Sequence, residues 1–184
     1  MIREAVAQIA RWRNQGLAEK PVAINFSNRQ LQDKEYVGYI ITLLHQHHVE
    51  PRFIEIEITE SILMENDGQT KEFLKGLKDA GLAVALDDFG TGYSSLNCLT
   101  YLPVNKIKLD KSISDQFLQG NRIKVIESLI LLAHSLNLKI MAEGIEEWDK
   151  VAVLKNSDCD GIQGYVFSKP LEPAEIAVIY NHNL

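Results

Sequence analysis

The stretch LAVALDDFGTG, residues 82 to 92, runs from a short apolar segment straight into two adjacent aspartates and a glycine-bearing turn. Leu82 to Leu86 read as a buried strand, because the run is too short and too tightly bounded for a helix. Successive strand residues point to opposite faces, so Asp87 and Asp88 can act together only if the strand ends between them and the chain turns. Gly90 and Gly92 permit that turn. The two charges repel, and their placement calls for a cation.

Similar apolar runs recur on both sides of this one. VAINF (22 to 26), FIEIEI (53 to 58), KIKL (106 to 109), KIMA (139 to 142) and GIQGYVF (161 to 167) read as further strands. Segments of helical period fill the gaps: 2 to 14, 29 to 47, 69 to 80, 120 to 136, 146 to 156 and 173 to 180, with room for a short helix near 94 to 101. Strict alternation of strand and helix predicts an α/β fold with a parallel sheet, either doubly wound or closed as a TIM-like (β/α)8 barrel. The polar residues favour the barrel. Asn25, Glu57, Asp87 with Asp88, Lys108 with Asp110, Glu143 and Gln163 each sit at or near the C-terminal end of a strand, and in a barrel those ends converge on one face. A doubly wound sheet favours one switch point and a glycine-rich turn after its first strand, which INFSNRQ does not supply.

Period-two alternation turns Ile54, Ile56 and Ile58 toward the helices and Glu55 and Glu57 inward, as it turns Ile107 and Leu109 outward and Lys106, Lys108 and Asp110 inward. Buried charges are costly unless paired, so Glu55 and Lys106 are expected to be interior structural partners. For Asn25, Glu57, Asp87 and Asp88, three carboxylates and an amide without an evident cation among them, a divalent metal is the better account. The hydroxyl-rich TGYSS after the aspartates reads as a loop that covers substrate, carries a dimer contact, or is simply a solvated turn.

The 184-residue chain is 46% hydrophobic and 24% charged, the composition of one soluble globular domain. Its net charge of -6 argues against a non-specific DNA or RNA surface. No signal peptide precedes the first helix and no apolar run approaches the ~20 residues of a membrane span, so a cytoplasmic setting is expected. Cys98 and Cys159 lack metal-ligand spacing and read as reduced packing residues. His45, His47 and His48 fall where a helix ends, where positive charge complements the helix dipole, and His134 reads as lying in the apolar face of another helix.

INFS, EIEITES, LDDFGTGYSSL, LPVNKIKLDKSI, AEGIE and QGYVFSKPL together, in this order, resemble the EAL-domain family of bacterial cyclic di-GMP phosphodiesterases. The resemblance implies hydrolysis of the cyclic dinucleotide to linear pGpG with two Mg²⁺ or Mn²⁺ ions. It assigns Asn25, Glu57 and Asp87 to the first metal, and Asp87 with Asp88 to the second. Lys108 matches the lysine near the attacking water, and Glu143 and Gln163 match further site members. Glu60 matches the anchor of the loop that begins at Asp88 and includes Gly90, Thr91, Gly92, Tyr93 and Ser94, and Asp110 joins the substrate-binding or loop set.

The Glu-Ala-Leu strand for which the family is named is not in this sequence, which opens at MIREAVAQIARWRNQG, similar to the family's second helix. Against ~250 residues for a full barrel, ~65 residues are missing, about two β/α units. The expectation is an EAL domain lacking its N-terminal segment, weak or inactive as it stands, and joined to or excised from sensory domains. A homodimer is a candidate assembly. The alternative is a non-catalytic module that binds cyclic dinucleotide or protein.

Overall fold

The computed structural model describes all residues except 18–19, 32, 34, 66, 92–98, 100–102, 119 and 182–184. Six strands follow one another in chain order: β1 (Val22–Asn25), β2 (Ile54–Thr59), β3 (Ala83–Phe89), β4 (Lys106–Leu109), β5 (Lys139–Ala142) and β6 (Gly161–Ile162). The helices are α1 (Ile2–Asn14), α2 (Asn28–Leu31), α3 (Tyr36–Gln46), α4 (Glu60–Glu65), α5 (Asp67–Asp79), α6 (Lys111–Phe117), α7 (Ile123–Ser135), α8 (Trp148–Asn156) and α9 (Pro173–Asn181). This is the strand and helix succession expected of a (β/α)8-type chain, with six strands among the described residues.

The chain forms two compact units, Met1–Glu57 with Asn66–Val84 and Pro170–Leu184, and Ile58–Glu65 with Ala85–Lys169. In the first unit, β1 and β2 pair in parallel through an unbroken register from Val22 with Ile54 to Asn25 with Glu57. Equivalent positions therefore share a face, and Ala23 and Asn25 line up with Glu55 and Glu57. Helix α1 buries Ile2, Val6 and Ile9 on one side and packs on α3 and β1. Phe26 stacks on Phe73 of α5 at 4.6 Å and meets Tyr36 edge-on at 5.7 Å, joining the end of β1 to two helices.

In the second unit, β4 pairs with β3 and β5, and β5 with β6, all in parallel. Ile107, Leu109, Ile140, Ile126 and Ile130 form the seam between these strands and α7, all buried. On the opposite face Lys106 and Lys108 are in register with Lys139 and Met141.

Several elements differ from the sequence reading. The helix expected over 29 to 47 is two, α2 and α3, and 120 to 122 form a 3₁₀ turn before α7. Helices α4 and α6 were not foreseen. Strand β6 is two residues long instead of seven. Its alternation stops because the chain wraps around Ile145, with Ile145 N–H donating to Gln163 O at 3.0 Å and Val166 N–H donating to Ile145 O at 3.0 Å. Gly164 passes so near that a Cβ there would lie 2.0 Å from the Ile145 carbonyl oxygen. The short helix expected near 94 to 101 lies largely outside the described residues.

His134 is a correction. It projects from the last turn of α7 to the exposed side, where Nε2 lies 2.9 Å from Asp160 Oδ2, instead of joining the apolar face formed by Ile126, Ile130 and Ala133. The same Asp160 oxygen accepts from Ile140 N–H at 2.8 Å, so the pair fastens α7 and the start of β5 to the turn before β6. His45 and His47 do stand at the end of α3, and His48 adopts a φ of 52° just beyond it. Cys159 is a half-buried thiol, its pKa pushed up by burial, and donates to Gly161 O at 3.2 Å. Cys98 lies outside the described residues.

Candidate active site

The strand β3 does not end between its two aspartates. Ala85 pairs with Lys106 and Leu86 with Ile107, but the next pair is Phe89 with Leu109. Asp87 and Asp88 together therefore oppose the single residue Lys108, which is a β-bulge. Asp88 takes the left-handed conformation at φ 53°, which aspartate tolerates better than most residues. A regular strand would send its side chain to the helix side. The bulge removes that alternation, so two neighbouring carboxylates share one stretch of ladder.

The charge facing them is Lys108. Its buried Nζ lies 3.1 Å from Asp87 Oδ1 and 2.7 Å from Glu143 Oε1, bridging the ends of β3 and β5. Asp87 thus has a neighbouring cation, which corrects the reading that the rim carboxylates lack one. Alternation along β4 does turn Lys108 to the face opposite Ile107 and Leu109. Burial raises the pKa of Asp88, and the charges of Asp87 and Asp110 raise it further, while Lys108 pulls it down. Asp88 thus lies within the field of two further carboxylates, Asp87 and Asp110.

Asp110 has a local task. It stands at the N-terminus of α6, where Oδ1 accepts from Ser112 N–H at 2.9 Å and from the Ser112 hydroxyl, instead of continuing the inward row of β4. The hydroxyl bond and the backbone bonds lower its pKa despite some burial. Asp-Lys-Ser after an apolar run was a legible cap signal. Glu60, buried at the start of α4, accepts from Gly90 N–H at 3.2 Å through Oε2. The turn after Asp88 closes with Thr91 Oγ1 donating to Asp88 O at 2.9 Å. Gly90 has φ 99°, a backbone that other residues rarely adopt, and a Cβ there would also press on the end of the Ile113 side chain at 2.9 Å. Gln163 is exposed beyond β6. Gly92, Tyr93 and Ser94 lie outside the described residues.

In the first unit, Asn25 and Glu57 are register partners at the C-terminal ends of β1 and β2. Phe26 N–H donates to Glu57 O at 2.8 Å, extending the pairing one step past them. Glu57 is buried and Asn25 exposed. Glu55 is buried and Lys106 half-buried, each below the strand end. Among the described residues, no three His, Cys, Asp or Glu side chains are already gathered to hold a metal ion.

Residues 1–170 match the model of the EAL domain, and the chain belongs to that family. The cyclic di-GMP phosphodiesterase PdeR of Escherichia coli is 36% identical over 172 residues, 93% of this chain and 26% of PdeR. The EAL domain of Mycobacterium smegmatis DcpA superposes with a TM-score of 0.90 at 31% identity, covering 98% of this chain and 82% of that one. The PaMucR phosphodiesterase in its c-di-GMP complex superposes at 0.87 with 30% identity, over 95% of this chain and 71% of that one. A manganese and cyclic di-GMP complex of Klebsiella pneumoniae BlrP1 superposes at 0.80 with 28% identity, over 92% of this chain and 44% of BlrP1. The chain spans 22% of the length of the first curated relatives it matches, among them the oxygen sensor protein DosP of E. coli. Among the described residues no helix is long and apolar enough to cross a membrane.

Proposed function

We propose that this chain is a divalent-metal-dependent phosphodiesterase that opens cyclic di-GMP to linear pGpG. The observation that carries the reading is the bulge that sets Asp87 and Asp88 against Lys108, itself paired with Glu143. The naming of PdeR and PaMucR as phosphodiesterases and the c-di-GMP in the PaMucR complex support it.

Asp87 and Asp88 would hold the metal, Mg²⁺ or Mn²⁺, and Asn25 and Glu57 are the metal-binding candidates of the other unit. The fit is one of donor chemistry: all four offer hard oxygen ligands, and the crowded carboxylates at the bulge are the kind of site a divalent ion neutralises. When bound, two such ions supply a water acidic enough to attack at neutral pH and neutralise the phosphate. Lys108 would hold the attacking water and stabilise the charge that develops on phosphate oxygen. Glu143, 2.7 Å from Lys108 Nζ, would hold the ammonium in position. Glu60 fixes Gly90, and with it the backbone turn that presents Asp88. Gln163 would offer its exposed amide to the substrate's polar edge.

The reading places the protein in the cytoplasm, as one domain of a longer signalling protein and as a candidate homodimer. A second reading rests on Lys108 alone. Because its ammonium already bridges Asp87 and Glu143, the site could bind the dinucleotide without divalent ion or hydrolysis.

Chromatographic separation of pGpG from cyclic di-GMP, with Mg²⁺, Mn²⁺ or EDTA, separates the two. Metal-dependent pGpG formation that is lost in Asp87→Asn is expected. Residues 1–184 alone are expected to turn over more slowly than a form that also carries a Glu-Ala-Leu strand. Dinucleotide binding by equilibrium dialysis with no pGpG under any metal, in both forms, would establish the binding module instead.

A further inference from the structure

Next to Lys108 and Glu143, the first turn of α6 meets the segment following Glu143 through a chain of five charges. Lys111 Nζ lies 2.7 Å from Glu146 Oε1 and 3.7 Å from Asp115 Oδ2. Lys150 Nζ lies 2.9 Å from Asp115 Oδ1 and 3.2 Å from Glu147 Oε1. The signs alternate along Glu146, Lys111, Asp115, Lys150 and Glu147, so every contact is attractive. Lys111 Nζ also donates to Gly144 O at 3.3 Å.

The stem of Lys111 packs on Gly144 so tightly that a Cβ there would lie 2.6 Å from Lys111 Cβ, and Gly144 turns at φ 65°. On its other side the segment is held through Ile145 by Gln163 O and Val166 N–H. Glu143 itself is tied to β4, its N–H donating to Leu109 O at 3.1 Å. Lys111 is thus the one side chain of α6 that grips both the carbonyl and the carboxylate following Glu143.

We propose that Lys111 is a positioning residue for the reaction: it clamps the segment Gly144 to Glu146 and so fixes the Glu143 carboxylate on Lys108. The proposal rests on the phosphodiesterase reading for its kinetic consequence, but not for the clamp itself. Exposed ion pairs add little to global stability, so the effect belongs in geometry. Small displacements of a catalytic group are costly to turnover while leaving ground-state binding nearly intact.

Lys111→Met keeps the packed stem and removes charge and donors, whereas Lys111→Arg keeps both. In the form of the protein that turns over cyclic di-GMP, Lys111→Met should lower kcat about 10-fold with KM within about twofold. Lys111→Arg should stay within about threefold of wild type. Amide hydrogen exchange at Gly144, Ile145 and Glu146, measured without metal or substrate, should quicken in Lys111→Met and not in Lys111→Arg. Wild-type kcat and exchange in Lys111→Met, or equal loss in Lys111→Arg, would overturn the proposal. So would a fall in kcat explained by a lower thermal midpoint. If wild type forms no pGpG, the phosphodiesterase reading fails, and exchange alone decides the clamp: unchanged protection in Lys111→Met would refute it.

Discussion

The ladder between β1 and β2 and the ladder between β3 and β4 carry acidic or amide residues to strand ends by different means. The first is regular for four consecutive pairs, and each strand contributes one end residue, Asn25 or Glu57, with its neighbours turned away. The second slips by one residue, and a single strand contributes two adjacent carboxylates. A regular ladder spaces donors at every second residue. Only the irregular one can place two charges in succession on one partner, and that requires Asp88 to accept a left-handed backbone and a raised pKa. The proposed site lies where the sheet is least ideal.

The largest expected effect is at the bulge. Asp87→Asn preserves shape and removes charge from the centre of the site, and turnover of cyclic di-GMP should fall at least about 100-fold in steady-state assays. Dinucleotide binding should persist in part, because it does not depend on that carboxylate alone. Near-normal turnover would remove Asp87 from the catalytic account.

Below the strand ends, interior charge should matter to folding instead. Glu55→Ala is expected to lower stability by about 3 kcal/mol in denaturant unfolding, because it disturbs a buried charge arrangement. Lys106→Ala, at a half-buried position, should cost less. Unchanged midpoints in both variants would contradict a structural role for either residue.

The conformation of Asp88 gives a third contrast. Asp88→Val places a β-branched side chain at φ 53° and should be about 1–2 kcal/mol less stable than Asp88→Asn. Equal stabilities would mean that the bulge relaxes at little cost. The titration follows with a definite sign. The folded-state pKa of Asp88 is raised, so its protonation stabilises the fold fully below the unfolded value near 4, and that contribution is lost as pH rises through the folded value. Asp88→Asn should therefore be more stable than wild type near pH 7, with the advantage vanishing below about pH 4. Thermal melts across that range would show it, and a constant difference would argue against a strained carboxylate.

The smallest effect is at Asn25. Its side chain is exposed, so Asn25→Ala should change stability by less than about 0.5 kcal/mol. A larger loss would mean that Asn25 supports the end of β1 instead of awaiting a ligand.

Much of this was legible because strand residues announce themselves by alternation. KIKL and KIMA are strands over the residues read from sequence, and Lys108 and Glu143 were found as strand-end residues before any geometry. The bulge was not legible, since alternation assigns adjacent residues to opposite faces and offered only a strand end to reconcile Asp87 with Asp88. Strand β6 was over-read because Gly164 looks like a strand glycine, whereas it makes room for the backbone of Ile145. Lys111 was missed for a different reason. Its partners Gly144 and Glu146 are more than 30 residues away, and no local pattern links them.

The central claim is that Asp87 and Asp88, through the bulge, contribute jointly to one divalent-metal site. Titration of Mn²⁺ into the protein, with free ion read by its electron paramagnetic resonance signal, addresses that claim before any chemistry occurs. The account predicts that Asp87→Asn and Asp88→Asn each weaken Mn²⁺ binding at least about 10-fold relative to wild type, as loss of a charged ligand requires. Wild-type affinity and stoichiometry in Asp88→Asn would show that the second carboxylate is not part of the site, and would contradict it.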